Sequence, residues 1–84
     1  MRDVKVYTTE LCPSCESVQS LLEARGIPYE EIVLVDDSDE HEALAERTGM
    51  KSLPQVLVGG ILVGGFRETV AADQTGMLAD LLVD

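Results

Sequence analysis

The stretch Val4-Lys5-Val6-Tyr7-Thr8-Thr9-Glu10-Leu11-Cys12-Pro13-Ser14-Cys15-Glu16-Ser17-Val18 decides the fold. Its first part, Asp3 to Thr8 when one residue is added in front, alternates polar and apolar side chains with period two, as a strand with one buried face does. Its second part opens a helix. From Pro13 onward Cys15, Val18, Leu21, Leu22 and Arg25 recur at spacings of three and four, and the run halts at Gly26 with Pro28 beyond. Proline at the opening and glycine past the end is the usual asymmetry of helix termini, since the first helical N–H has no partner to lose. A strand therefore runs into a helix, and both cysteines stand at the junction.

Downstream, Tyr29 to Val35 reads as a second strand, and its Ile32-Val33-Leu34-Val35 run, apolar on both faces, suits an interior parallel strand. Asp36-Asp37-Ser38-Asp39 places caps and negative charge ahead of a helix from Asp39 to Arg47, closed by Thr48-Gly49, with Ala43 and Leu44 as a sparse buried face. His41, in that acid-rich start, reads as a solvated residue. After a loop from Met50 to Pro54, Gln55 to Val58 is a third strand, and Gly59-Gly60 signals a two-residue hairpin into Ile61-Leu62-Val63. Gly64-Gly65 breaks the sheet. Val70, Ala71, Gln74, Met77, Leu78, Leu81 and Leu82 then mark one closing helix, with Gly76 inside it as a weak spot worth up to about 1 kcal/mol. This order predicts a four-stranded mixed sheet flanked by three helices, a three-layer α/β sandwich with a right-handed first crossover.

At 84 residues the chain has room for one domain, spanning 1–84, and 45% apolar residues are enough for a core. Sixteen acidic against six basic side chains leave a net charge of −10, which repels phosphate backbones and anionic lipid heads and so excludes nucleic acid and membrane partners. No apolar run approaches the roughly 20 residues that cross a bilayer, and the N-terminus lacks the apolar stretch of a signal peptide. A cytoplasmic monomer is expected.

The two cysteines, Cys12 and Cys15, close too short a loop to staple a fold through chain entropy, so they are present for chemistry or for metal. Cys12 falls where unpaired backbone N–H groups and the helix dipole favour a thiolate, which makes it the nucleophile. Pro13 stiffens the turn. Cys15, one turn into the helix, is placed to attack a mixed disulfide on Cys12 and is the resolving thiol. Glu10 and Glu16 flank Cys12 and oppose its ionisation. A metal centre normally needs two further Cys or His ligands, and the chain offers only His41, so no metal is expected. The alternative from another class is a metal-binding module in which the pair holds copper(I), zinc or half of an iron–sulfur cluster.

Taken together, Tyr7-Thr8-Thr9, Cys12-Pro13-Ser14-Cys15, Ser52-Leu53-Pro54-Gln55 and Gly64-Gly65-Phe66 resemble the dithiol glutaredoxins of the thioredoxin superfamily, in order and along essentially the whole chain. That resemblance implies the thioredoxin-like glutaredoxin fold and a thiol-disulfide oxidoreductase. It implies a cis Leu53-Pro54 peptide, a bond whose isomer the residues alone leave open, lying against the cysteines, with the backbone of Leu53 pairing with substrate as an added strand. It places the γ-glutamyl end of glutathione on Gly65, Phe66, Arg67 and Glu68, at a helix N-terminus suited to a carboxylate. Thr9, Ser14, Lys51 and Pro54 complete the expected binding site. The family often shows Lys at the place of Thr9, Tyr at that of Ser14, and two Asp at those of Arg67 and Glu68. Lys51 and Arg67, with Arg47 just upstream, gather positive charge there as anchors for an anionic thiol. The reductant implied is glutathione or another low-molecular-weight thiol, and the substrates are disulfide or glutathionylated proteins. In a rival reading, Gly65-Phe66-Arg67 resembles glutaredoxin-like redoxins that serve ribonucleotide reductase and are recharged by a disulfide reductase, thioredoxin reductase.

Overall fold

The computed structural model describes residues 1–83. Its elements run in the order β1 (Val4–Thr8), α1 (Pro13–Ala24), β2 (Glu30–Val33), α2 (Asp39–Thr48), β3 (Gln55–Val58), β4 (Ile61–Gly64), α3 (Phe66–Thr75) and α4 (Met77–Leu82). The strands form one mixed sheet in the order β2-β1-β3-β4, with β1 parallel to β2 and antiparallel to β3, and β3 antiparallel to β4. Strand alternation sorts the core into two halves. Val4 and Val6 of β1 with Val56 and Val58 of β3 meet Val18 and Leu22 of α1, Ala72 of α3, and Leu78 and Leu82 of α4. On the opposite face Tyr7 and Leu57 meet Leu44 of α2 and Leu34. Helices thus cover both faces, as the residue pattern predicts.

Three details differ from the sequence expectations. First, β2 is an edge strand, not an interior one. Val33 and Val35 are 59% and 75% exposed, and only Leu34 and part of Ile32 pack inward. An unbroken apolar run reads the same whether one face or both are covered, so periodicity could not separate the cases. Second, α2 buries His41 and Leu44, while Ala43 is exposed. The Ser38 hydroxyl accepts the N–H of His41 at 3.2 Å and so sets the phase of the first turn. Third, the closing helix is broken in two at Gly76, whose φ of 85° is left-handed and serves as the C-cap of α3 and the N-cap of α4. The buried face of α3 is Thr69 and Ala72, with Ala71 and Gln74 exposed.

The β3–β4 hairpin contains a bulge: Val56 pairs with Gly64 but Leu57 with Leu62, which leaves Val63 as the extra residue. Directly after it Gly64 adopts φ 130°, and a Cβ there would meet the Glu68 Cβ at 2.6 Å. No other residue fits that position without moving α3.

Candidate active site

Strand β1 ends at Thr8, and the chain crosses to α1 through Leu11, which holds φ 52° and is fully exposed. Cys12 is the N-cap of α1 in extended conformation, and Pro13 begins the helix. The Cys15 N–H donates to Cys12 Sγ at 3.2 Å, so the sulfur takes the place of the hydroxyl or carboxylate that usually caps a helix. The Cys12 carbonyl meanwhile accepts from the N–H groups of Cys15 and Glu16 at 3.1 and 3.2 Å. Cys12 and Cys15 are joined as a disulfide, with Cα atoms 5.2 Å apart. Cys12 is half-buried and Cys15 only 3% exposed, so a molecule approaching from solvent meets Cys12. Glu10 and Glu16 are exposed, where water and salt screen their repulsion of an anionic sulfur.

A cleft of about 330 Å³ opens beside this turn, lined by Ser14, Met50, Ser52, Leu53, Pro54 and the run Gly65 to Glu68. Leu53-Pro54 is cis and forms one wall. The opposite wall is the start of α3, where the Glu68 carboxylate accepts the Gly65 N–H at 2.7 Å in a capping box. Glu68 is thereby held by its own helix, while the exposed Arg67 brings the one cation to the cleft wall. Seven of the residues singled out from sequence therefore meet in one place: Ser14, Leu53, Pro54, Gly65, Phe66, Arg67 and Glu68.

Thr9 and Lys51 lie on an adjoining cleft with Asp36, Asp37, His41, Ser52 and Leu53, so they share only the Ser52-Leu53 rim with the first. Lys51 Nζ is 3.4 Å from Asp37 Oδ1, which partly neutralises the anchor expected of it. Arg47 does not reach the site. It lines a hollow with Tyr7, Leu57, Gly59 and Gly60, at the end of β3 away from Pro54. Met50, which the sequence did not single out, lines the main cleft; its signal was only its place one residue past the αL cap at Gly49. The loop that carries it is held from within: Gln55 Nε2 donates to the carbonyls of Met50 and Ser52, and Thr48 Oγ1 to that of Met50 at 3.2 Å. The displaced proton affinities lie elsewhere. Hydrogen bonding of the Tyr29 phenol to Glu23, at 2.6 Å, pushes Tyr29 up to about 12, and the Arg25 guanidinium holds the Asp73 carboxyl below its ordinary value.

A redox-active cysteine pair at a strand-to-helix junction, beside a cleft walled by a cis-proline, defines a thiol-disulfide oxidoreductase of thioredoxin-like fold. Comparison narrows the class. The glutaredoxin family model matches residues 4–63. A glutaredoxin of Ricinus communis is 39% identical over 84 residues, covering 96% of this chain and 82% of that protein. Glutaredoxin 3 of Escherichia coli K12 is 30% identical over 82 residues, covering 98% and 99%. Among solved structures, a buckwheat glutaredoxin-glutathione complex superposes with a TM-score of 0.85 at 27% identity, over 96% of this chain and 76% of that one. The chain belongs to the glutaredoxin family.

Proposed function

We propose that this glutaredoxin reduces glutathione mixed disulfides and protein disulfides, with Cys12 as nucleophile, Cys15 as resolving thiol, and glutathione or another low-molecular-weight thiol as reductant. The observation that carries this reading is the asymmetry of the pair: Cys12 is the more accessible sulfur and receives a backbone N–H, while Cys15 is buried behind it. The Cys12 thiolate attacks one sulfur of the substrate disulfide, the S–S bond breaks, and the other sulfur leaves with the electron pair and takes up a proton. Cys15 then loses its proton and attacks Cys12 Sγ, which releases the second substrate thiol and leaves the Cys12–Cys15 disulfide. Two electrons and two protons have passed to the substrate. Two molecules of external thiol reverse the sequence and restore the dithiol; where Cys12 carries glutathione, an external thiolate attacks the glutathione sulfur directly, forms a disulfide with it and releases the Cys12 thiolate without Cys15.

The cleft supports glutathione as that thiol. The N–H groups at the start of α3 and the Arg67 side chain suit a carboxylate, and the backbone of Leu53 on the facing wall suits a peptide in extended form. A solved relative of similar fold is itself a glutathione complex. Ser14, Pro54, Gly65 and Phe66 would shape the pocket, Glu68 would steady the α3 end of it, and Thr9 and Lys51 would meet the part of a protein substrate that reaches past Leu53.

The test offers the oxidised protein either glutathione with glutathione reductase or NADPH with thioredoxin reductase. Recycling by glutathione is the expected outcome. Recycling by thioredoxin reductase alone overturns the reading in favour of a redoxin that feeds an enzyme such as ribonucleotide reductase.

A further inference from the structure

Apart from Cys15, which is bonded to Cys12, the most deeply buried ionisable side chain among the described residues is His41, 3% exposed in the first turn of α2, and the chemistry above makes no use of it. Its two ring nitrogens join two loops. The Asp37 N–H donates to Nδ1 at 3.1 Å, which puts the ring proton on Nε2, and Nε2 donates it to the carbonyl of Lys51. The Asp36 carboxylate lies 3.3 Å from Nδ1. The resulting Asp36-Asp37-His41 group has ligand atoms within 4.8 Å of one another, but both ring nitrogens are already taken by backbone groups, so it makes no case for a metal.

Lys51 is the middle member of three consecutive residues whose carbonyls each accept from a side chain. Those of Met50 and Ser52 are held by Thr48 and Gln55, close neighbours along the chain. The Lys51 carbonyl alone is held from the first turn of α2, ten residues back along the chain. Leu53 follows two residues later with the cis bond to Pro54.

We propose that His41 is a positioning residue for the redox reaction: its Nε2–H fixes the Lys51 carbonyl and thereby the line on which the Leu53 backbone presents itself to an extended substrate. The inference rests on the proposed pairing of Leu53 with substrate. A carbonyl freed from His41 lets the segment turn about the two remaining anchors, and a strand misaligned by about 1 Å loses its backbone hydrogen bonds.

The test uses a short peptide carrying a glutathione mixed disulfide on its cysteine, and the same conjugate made with glutathione N-methylated in turn at the two amides flanking its own cysteine. With wild-type protein, methylation at the pairing amide should raise KM about fivefold, the worth of one net hydrogen bond. His41→Leu should bring the ratio of the two KM values close to one. His41→Gln, whose amide N–H reaches the place of Nε2, should restore the ratio, whereas His41→Asn, which reaches only the place of Nδ1, should not. General loss of folded protein scales both conjugates alike and leaves the ratio unchanged. A ratio near five in His41→Leu overturns the role of His41 alone, and so does rescue by Asn but not Gln. A wild-type ratio of one overturns the pairing of Leu53, and the inference with it.

Discussion

The backbone N–H of Cys15 lies 3.2 Å from Cys12 Sγ, so one cysteine caps the helix that buries the other. In the dithiol form the two sulfurs separate, and the same N–H remains a donor for an anionic Cys12. Substoichiometric iodoacetamide on the reduced protein near neutrality should label Cys12 at least about tenfold faster than Cys15, because reactivity follows exposed thiolate. Cys12→Ser should lose all exchange activity. Cys15→Ser should keep deglutathionylation and accumulate mixed disulfides with protein substrates. Mass spectrometry of the trapped species checks both; equal labelling of the two sulfurs overturns the assignment, and a dead Cys15→Ser beside an active Cys12→Ser reverses it.

Gly76→Ala should destabilise the protein by about 1 kcal/mol, measured by urea unfolding. Space is not the obstacle, since a Cβ at Gly76 would meet nothing within 4 Å; the φ of 85° is. A glycine inside a continuous helix would give the opposite sign, with alanine stabilising by a similar amount. The direction of the change therefore distinguishes a joint between α3 and α4 from one unbroken helix.

Glu68→Ala should cost about 1 kcal/mol, because the Gly65 N–H loses its acceptor at the buried start of α3. Glu68→Gln keeps an acceptor oxygen and should retain most of that stability. It also removes a negative charge from the cleft wall, so its KM for glutathione should fall relative to wild type. Stability from denaturant curves and KM from glutathione titrations read the two roles separately.

Two pairs at the far end of α1 set the pH limits they contribute to. Asp73 has its carboxyl lowered by the hydrogen bond from Arg25. Its contribution is therefore present above the ordinary carboxylate range and lost as pH falls through the lowered folded value. Asp73→Asn should flatten the acid side of the stability profile. Tyr29 runs the other way. Its phenol is raised to about 12 by the bond to Glu23, so its contribution is whole below the ordinary phenol value and disappears as pH climbs to about 12. Ultraviolet titration should show one late-ionising tyrosine that Glu23→Gln returns toward about 10.

The order of strands and helices was legible because Pro13, Gly26, Ser38, Gly49 and Gly59-Gly60 mark boundaries through local backbone chemistry, which tertiary context seldom overrides. The cleft was legible through motifs at both of its walls. The position of β2 in the sheet was not, since it depends on how many neighbours Ile32 and Val33 acquire. The burial of His41 is masked in the sequence by its acidic surround, which suggests water. Yet His41, Leu44, Ala45 and Thr48 recur at the three-and-four spacing of one helical stripe, and all are buried or half-buried. Arg47 is close to the site in sequence, but α2 carries it to the other end of the sheet, beside Gly59 and Gly60.

The two margins of the sheet are protected unequally. Along β2 the exposed Glu30 and Glu31 make a second copy of that margin repellent. Strand β4, Ile61 to Gly64, carries no charge, and Ile61 at its tip is 45% exposed. Under crowding or partial unfolding, lateral stacking into aggregates would begin at the β4 margin, which makes Ile61→Lys the substitution of choice for keeping concentrated preparations clear.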